Sequence, residues 1–102
     1  MLDLNLAHKA LAHPFRRDVL RWLKSPNSPD TFPGAARLHS CHGSPLSSIV
    51  ARSGLSQSTV SAHVALLRDA GLIVATPVGQ WIFVARDDTA IAAFVAQVVS
   101  DL

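Results

Sequence analysis

Apolar residues recur at helical spacing in five stretches of the chain, and alternate in strand fashion in one more. Residues 3–12, DLNLAHKALA, place Leu4, Leu11 and the alanines on one side of a first helix. Residues 13–24, HPFRRDVLRWLK, form a second. Phe15, Val19, Leu20, Trp22 and Leu23 are its core positions, and Arg16, Arg17, Arg21 and Lys24 are its polar remainder. Pro14 suits the first turn, where a missing N–H costs nothing. SPLSSIVARSG, residues 44–54, reads as a short third helix with Ser44 as N-cap, Pro45 as its first residue and Gly54 as its stop. A fourth helix opens at Ser56 and stops at Gly71, with Val60, Val64 and Leu67 as its buried stripe. LIVAT (72–76) and QWIFVA (80–85) flank PVG as a β-hairpin. Asp87 or Asp88 caps a last helix over 88–101. Between the second and third helices, SPNSPDTFPGAARLHSCHGSP (25–45) has four prolines, two glycines and no period, and reads as a long loop insertion. Loops of this length are functional or disordered more often than not.

A chain of 102 residues predicts one domain, 1–102, mainly α with a small β-hairpin. It is 49% hydrophobic and 16% charged, which leaves apolar surface that so small a fold cannot bury alone. The last helix shows where the surplus lies. Ile91, Ala92, Ala93, Phe94, Val95, Ala96, Val98 and Val99 make it apolar on nearly every side, and a helix apolar all round is covered all round. A homodimer through the last helix, joined by Leu2, Leu4, Leu6 and Leu11 of the first, is the expected cover. Net charge is +2, which permits nucleic-acid binding without demanding it. The lone Cys41 has no internal disulfide partner and fits a reducing compartment. No secretory signal is evident. The most apolar run, 90–99, is well short of the roughly 20 residues that span a bilayer. A cytoplasmic protein with no membrane partner is expected.

The third and fourth helices are separated only by GLS, the spacing of a helix-turn-helix. In that motif the second helix enters the DNA major groove with its N-terminal residues leading. The outward side of the fourth helix is Gln57, Ser58, Ser61, Ala62 and Ala65, with no Glu or Lys. Small residues allow close approach to a groove. Gln57 can bond a base edge bidentately, with adenine its usual partner. Ser56, Ser58, Thr59 and Ser61 offer hydroxyls to phosphates or bases. The same face also suits a capped surface helix whose small residues serve packing. The hairpin that follows tips the balance, because a helix-turn-helix with a hairpin is a winged helix.

ALAHPFRRDVLRWL (10–23), LSQSTVSAHVALLRDAGLI (55–73) and GQWIFVARDDTAI (79–91) together resemble the ArsR/SmtB-type winged-helix repressors. The resemblance spans nearly everything except 25–45. It implies five helices with a two-stranded wing, a homodimer, and a transcriptional repressor of double-stranded DNA that leaves a palindromic operator when a signal arrives. It places Ser56, Gln57, Ser58, Thr59, Ser61 and His63 against DNA, with Gly79 and Gln80 at the wing tip. Arg52 and Arg68, on or beside the helix-turn-helix, are further candidates for phosphate contact. Two departures stand out. The wing, TPVGQW, has no Lys or Arg. His63 falls at the edge of the apolar stripe, where it either meets phosphate or packs. Trp81, in the wing strand, is expected in the core.

The metal-sensing patterns of that family are not present: the third helix has no cysteine and the last has no histidine. His39, Cys41 and His42 remain as a candidate sensor, for a soft metal or for thiol redox chemistry. Three residues so close in sequence do not easily face one ion, so no metal or other cofactor is expected. An enzyme is not expected either, because the chain has no Gly-rich phosphate loop and no glutamate at all. A winged helix used only for protein–protein contact is the rival reading.

Overall fold

A computed structural model describes residues 3–26, 28, 30–32 and 41–102. The described elements run α1 (Leu4–Leu11), α2 (Pro14–Lys24), β1 (Ser44–Pro45), α3 (Leu46–Ser53), α4 (Gln57–Asp69), β2 (Ile73–Val78), β3 (Trp81–Arg86) and α5 (Asp88–Asp101).

The N-terminal helices are stitched end to end by polar side chains. Asp3 caps α1, its Oδ1 accepting from the N–H groups of Asn5 and Leu6 at 3.0 and 3.1 Å. At the other end, Arg16 Nε donates to the Ala10 carbonyl at 2.7 Å, and Arg17 donates to the Leu11 carbonyl. Cations at a helix C-terminus complement its dipole. These arginines therefore join α1 to α2. His13 caps α2 through Nδ1, which accepts from the Phe15 N–H at 3.1 Å. Val19, Leu20 and Leu23 are buried, while Phe15 and Trp22 pack at the margin.

Three strands, in the order β1-β3-β2, make an antiparallel sheet where a two-stranded wing was expected. Ser44 pairs with Val84 and Pro45 with Phe83. Ser44 is thus a strand residue and not the cap of α3. Pro45 takes the N-cap position of α3 with no side-chain cap, and the helix begins at Leu46. Gly43 explains why the strand lies so close. Its φ is +109°, and a Cβ there would run into the Val84 carbonyl.

The 25–45 stretch is partly core. Phe32 is 2% exposed and Thr31 is buried. The Thr31 hydroxyl donates to the Ser25 carbonyl at 2.6 Å. Arg52 donates to the carbonyls of Asp30 and Thr31 and lies over the Trp22 ring, 4.7 Å from its centroid. His39 lies outside the described residues, as does Leu2.

Buried residues of all five helices and the sheet share one core: Ala7, Ala10, Val19, Ile49, Val60, Val64, Leu67, Leu72, Val84 and Phe94 among them. Arg86 ties the sheet to α2 through the Leu20 carbonyl at 3.0 Å and pairs with Asp88 at the start of α5. Asp87 caps α5, accepting from the Ala90 N–H at 2.9 Å. Phe94 is the buried residue of α5 and meets the edge of the His8 ring of α1 at 5.0 Å. Ile91 and Val98 are partly buried against the core, and most of the remaining α5 residues are exposed. Val95 is 53% exposed and Val99 75%, and Leu6 of α1 is 41% exposed.

Candidate nucleic-acid interface

The turn between α3 and α4 is built by local backbone chemistry. Gly54 adopts φ +69° and its N–H returns to the Val50 carbonyl at 3.3 Å, closing α3 in the left-handed conformation that glycine accepts freely. Ser53 Oγ accepts from the Leu55 N–H at 3.0 Å. Ser56 then caps α4, its Oγ accepting from the Thr59 N–H at 3.2 Å. The same hydroxyl donates to Thr59 Oγ1 at 2.8 Å and lies 3.2 Å from Ser58 Oγ. Such a cap stabilises a helix by about 1 kcal/mol. At its other end α4 closes in a Schellman motif. The Leu72 N–H reaches the Leu67 carbonyl at 3.1 Å and the Gly71 N–H reaches Arg68 at 2.9 Å. Both Leu67 and Leu72 are buried, which clamps that end to the core.

Four sides of α4 have four environments. Val60, Val64 and Leu67 face the core. Ser58, Ala62, Leu66 and Asp69 are exposed along an outward stripe. Ser61, Ala65 and Arg68 turn toward the wing, where with Pro77 and Ile82 they line a groove of about 250 Å3. His63 turns the other way, onto α2, with its ring 4.5 Å from that of His13 and 5.0 Å from that of Phe15. Its Nδ1 is buried with no hydrogen-bond partner. Burial lowers the His63 pKa below 6.5, and the nearby positive charge of His13 and Arg16 lowers it further.

The sites inferred from sequence therefore divide. Ser56, Gln57, Ser58 and Thr59 come together, all exposed, at the N-terminal end of α4. That first turn contains no acidic side chain, so the positive end of the helix dipole is left for an outside partner. Ser61 is half-buried on the wing side, and His63 is packed on α2. Arg52 is engaged with the 30–31 backbone and Trp22, well occupied by the chain itself. Arg68 is exposed and paired with Asp69 at 3.3 Å. Cys41 is exposed and His42 sits 6.3 Å from the Phe83 ring. Among the described residues, no group of three or more His, Cys, Asp or Glu is placed to hold a metal ion.

The wing stands beside this helix end. Gly79 and Gln80 form its exposed tip. A cleft of about 490 Å3 runs between them, walled by Leu46, Ser47 and Val50 of α3, Gln57 of α4, and Gln80, Trp81 and Ile82 of the wing. Gln57 and Gln80 thus share one cleft although 23 positions apart in the chain. Trp81 is 47% exposed, not in the core as its size suggested. Strand alternation is the reason. Val78 pairs with Trp81, and Ala75 with Val84; since Val84 faces inward, Trp81 is on the outer face.

A capped helix with a bare polar end, preceded by a three-residue turn and flanked by a wing, defines a winged helix-turn-helix regulator. The family described as "Bacterial regulatory protein, arsR family" matches residues 46–74, from α3 through α4 into β2. The HTH-type transcriptional regulator YbzH of Bacillus subtilis (strain 168) is 34% identical over 83 residues, covering 81% of this chain and 82% of that one. An ArsR-family transcriptional regulator of known crystal structure superposes with TM-score 0.72 at 22% identity, covering 96% of this chain and 90% of the other. The homodimeric winged helix-turn-helix DNA-binding domain of a possible ArsR-family regulator from Mycobacterium bovis superposes with TM-score 0.60 at 23% identity, over 95% and 77%. This chain belongs to the arsR family, a family of DNA-binding transcriptional regulators rather than enzymes. Among the described residues, no helix is long and apolar enough to cross a membrane.

Proposed function

We propose that the chain is a homodimeric cytoplasmic repressor that reads a palindromic operator in double-stranded DNA with the N-terminal end of α4. The observation that carries this reading is the exposed cluster of Ser56, Gln57, Ser58 and Thr59 on a helix start free of acidic side chains. Gln57 supplies base recognition. The hydroxyls of Ser56, Ser58 and Thr59 and the helix N-terminus meet phosphate. Ser61 follows deeper on the wing side, Arg68 neutralises phosphate beyond it, and Gly79 and Gln80 approach the neighbouring groove. In this reading Arg52 and His63 act behind the contact surface, holding the 30–32 segment and α2 in place. The apolar faces of α1 and α5 join two copies; the homodimeric state of the Mycobacterium bovis domain supports the dimer itself. No cofactor is required, and a signal that weakens the dimer's grip lifts repression.

The test is a titration of fluorescently labelled DNA from upstream of the chain's own gene against a scrambled duplex, over a series of salt concentrations. Preference for the native DNA, falling steeply with salt, is expected. Equal affinity for both duplexes at every salt concentration contradicts it. The uncharged wing favours one rival, a winged helix that docks only on protein; salt-insensitive association with no DNA preference is its signature.

A further inference from the structure

We propose that the wing grips DNA without charge, with Trp81 packing its indole on the sugar–phosphate wall beside the groove that α4 reads. The proposal rests on the DNA reading above and extends it to a residue that the sequence analysis expected in the core.

Residues 74–82, VATPVGQWI, contain no Lys, Arg, Asp or Glu. Every residue from Pro77 to Ile82 is exposed. On the outer face of the ribbon Val78 and Trp81 are directly opposed, 41% and 47% exposed. Trp81 stacks against Phe83 at 6.2 Å with the rings 28° apart. Phe83 is only half-buried, and its backbone pairs with both Pro45 and Thr76. The indole is therefore backed by a braced ring and still 47% exposed. β1 ends at Pro45, so beyond Phe83 the ribbon continues as two strands only.

Continuity with the reading surface identifies the occupant. Trp81 and Gln80 wall the same cleft as Gln57, the base-reading candidate, and Ser47 of α3. A duplex whose major groove admits the start of α4 must bring its adjacent backbone strand across this cleft, since the first helix of the motif crosses the backbone. Deoxyribose is the apolar part of that strand and phosphate its acceptor. An indole offers one apolar face and a single N–H donor, which matches both. The ring is exposed in the isolated protein because its partner is the nucleic acid.

The experiment uses the full chain with Trp22→Phe, which leaves Trp81 as the sole tryptophan. Anisotropy of labelled upstream DNA reports complex formation, and acrylamide quenching of the indole reports its exposure. Quenching is expected to be efficient in free protein, independent of protein concentration, and to fall several-fold once DNA is saturated. Trp81→Ala is expected to weaken binding about tenfold, as burial of a large ring implies, with the slope of log affinity against log salt unchanged because no ion pair is lost. Trp81→Phe should retain most of the affinity. Quenching that stays unchanged in a complex shown by anisotropy to be fully formed overturns the wing contact and leaves the DNA reading standing. Shielding of Trp81 in DNA-free protein that grows with protein concentration overturns it in favour of a second copy on the wing. Absence of any anisotropy change overturns both.

Discussion

Gln57 and His63 lie on one helix, six positions apart, in opposite environments. Gln57 is exposed at the leading end and free to enter a groove, so Gln57→Ala should weaken binding to operator by about 1–3 kcal/mol, the worth of a bidentate base contact. Binding to random duplex should be unchanged; an equal loss on both duplexes would show that Gln57 reads no base. His63 is packed, with an orphaned Nδ1 and a lowered pKa. The folded state therefore holds the neutral ring. Its contribution to stability is full above the ordinary histidine value and is lost as pH falls below it, because the unfolded chain then takes up the proton first. In urea denaturation, His63→Phe should flatten the decline of stability between about pH 7 and pH 5. It should cost little at pH 7, since replacing an unpaired buried polar atom by an apolar one is nearly neutral. A decline as steep as that of the unaltered protein would show that His63 titrates freely.

The helices were legible because each has period and punctuation. The i, i+4, i+7 spacing of Val60, Val64 and Leu67 found the buried side of α4, and Ser56, Gly54 and Gly71 marked its neighbourhood. The sheet was less legible. A two-residue strand such as Ser44–Pro45 has no period to detect, and a Ser-Pro pair looks the same before a helix as in an edge strand. Only the contact of Gly43 with the distant Val84 decides it. Trp81 misled for a related reason: size argues for burial, but the strand's register put Val84 inside and Trp81 out. In the 25–45 stretch the prolines and the lack of any period masked Phe32, whose ring is buried in the core. Phe32→Ala should cost about 3–5 kcal/mol of stability, as for any fully buried aromatic. A cost below about 1 kcal/mol in chemical denaturation would mean that the stretch is an ornament on the core. Of the candidate site, the start of α4 and the wing tip at Gly79 and Gln80 were legible. That Gln57 and Gln80 wall one cleft is encoded by no local pattern.

At the scale of the whole molecule, apolar surface is exposed on α1 and α5 as well as at Leu55, Leu66 and Val74. Leu6, Val95 and Val99 are exposed on those two helices, while Phe94 anchors α5 to the core. In the proposed dimer, pairing two copies through α1 and α5 would cover part of a composition too apolar for an isolated chain of this size. Val99→Glu changes a side chain that touches little within its own chain, so it should leave the helical signal intact. Sedimentation should show it shifted from dimer toward monomer, and DNA affinity should fall with the loss of the second reading helix; a variant that stays fully dimeric would place the interface elsewhere.

The central claim is that two copies of α4, held by one dimer, read DNA together. Hydroxyl-radical footprinting on the region upstream of the chain's own gene tests it most directly. Two protected half-sites related by a two-fold axis are predicted, their centres about one helical turn or roughly 34 Å apart, with protection lost for Gln57→Ala. A single protected patch, or a footprint that Gln57→Ala leaves unchanged, would contradict the account.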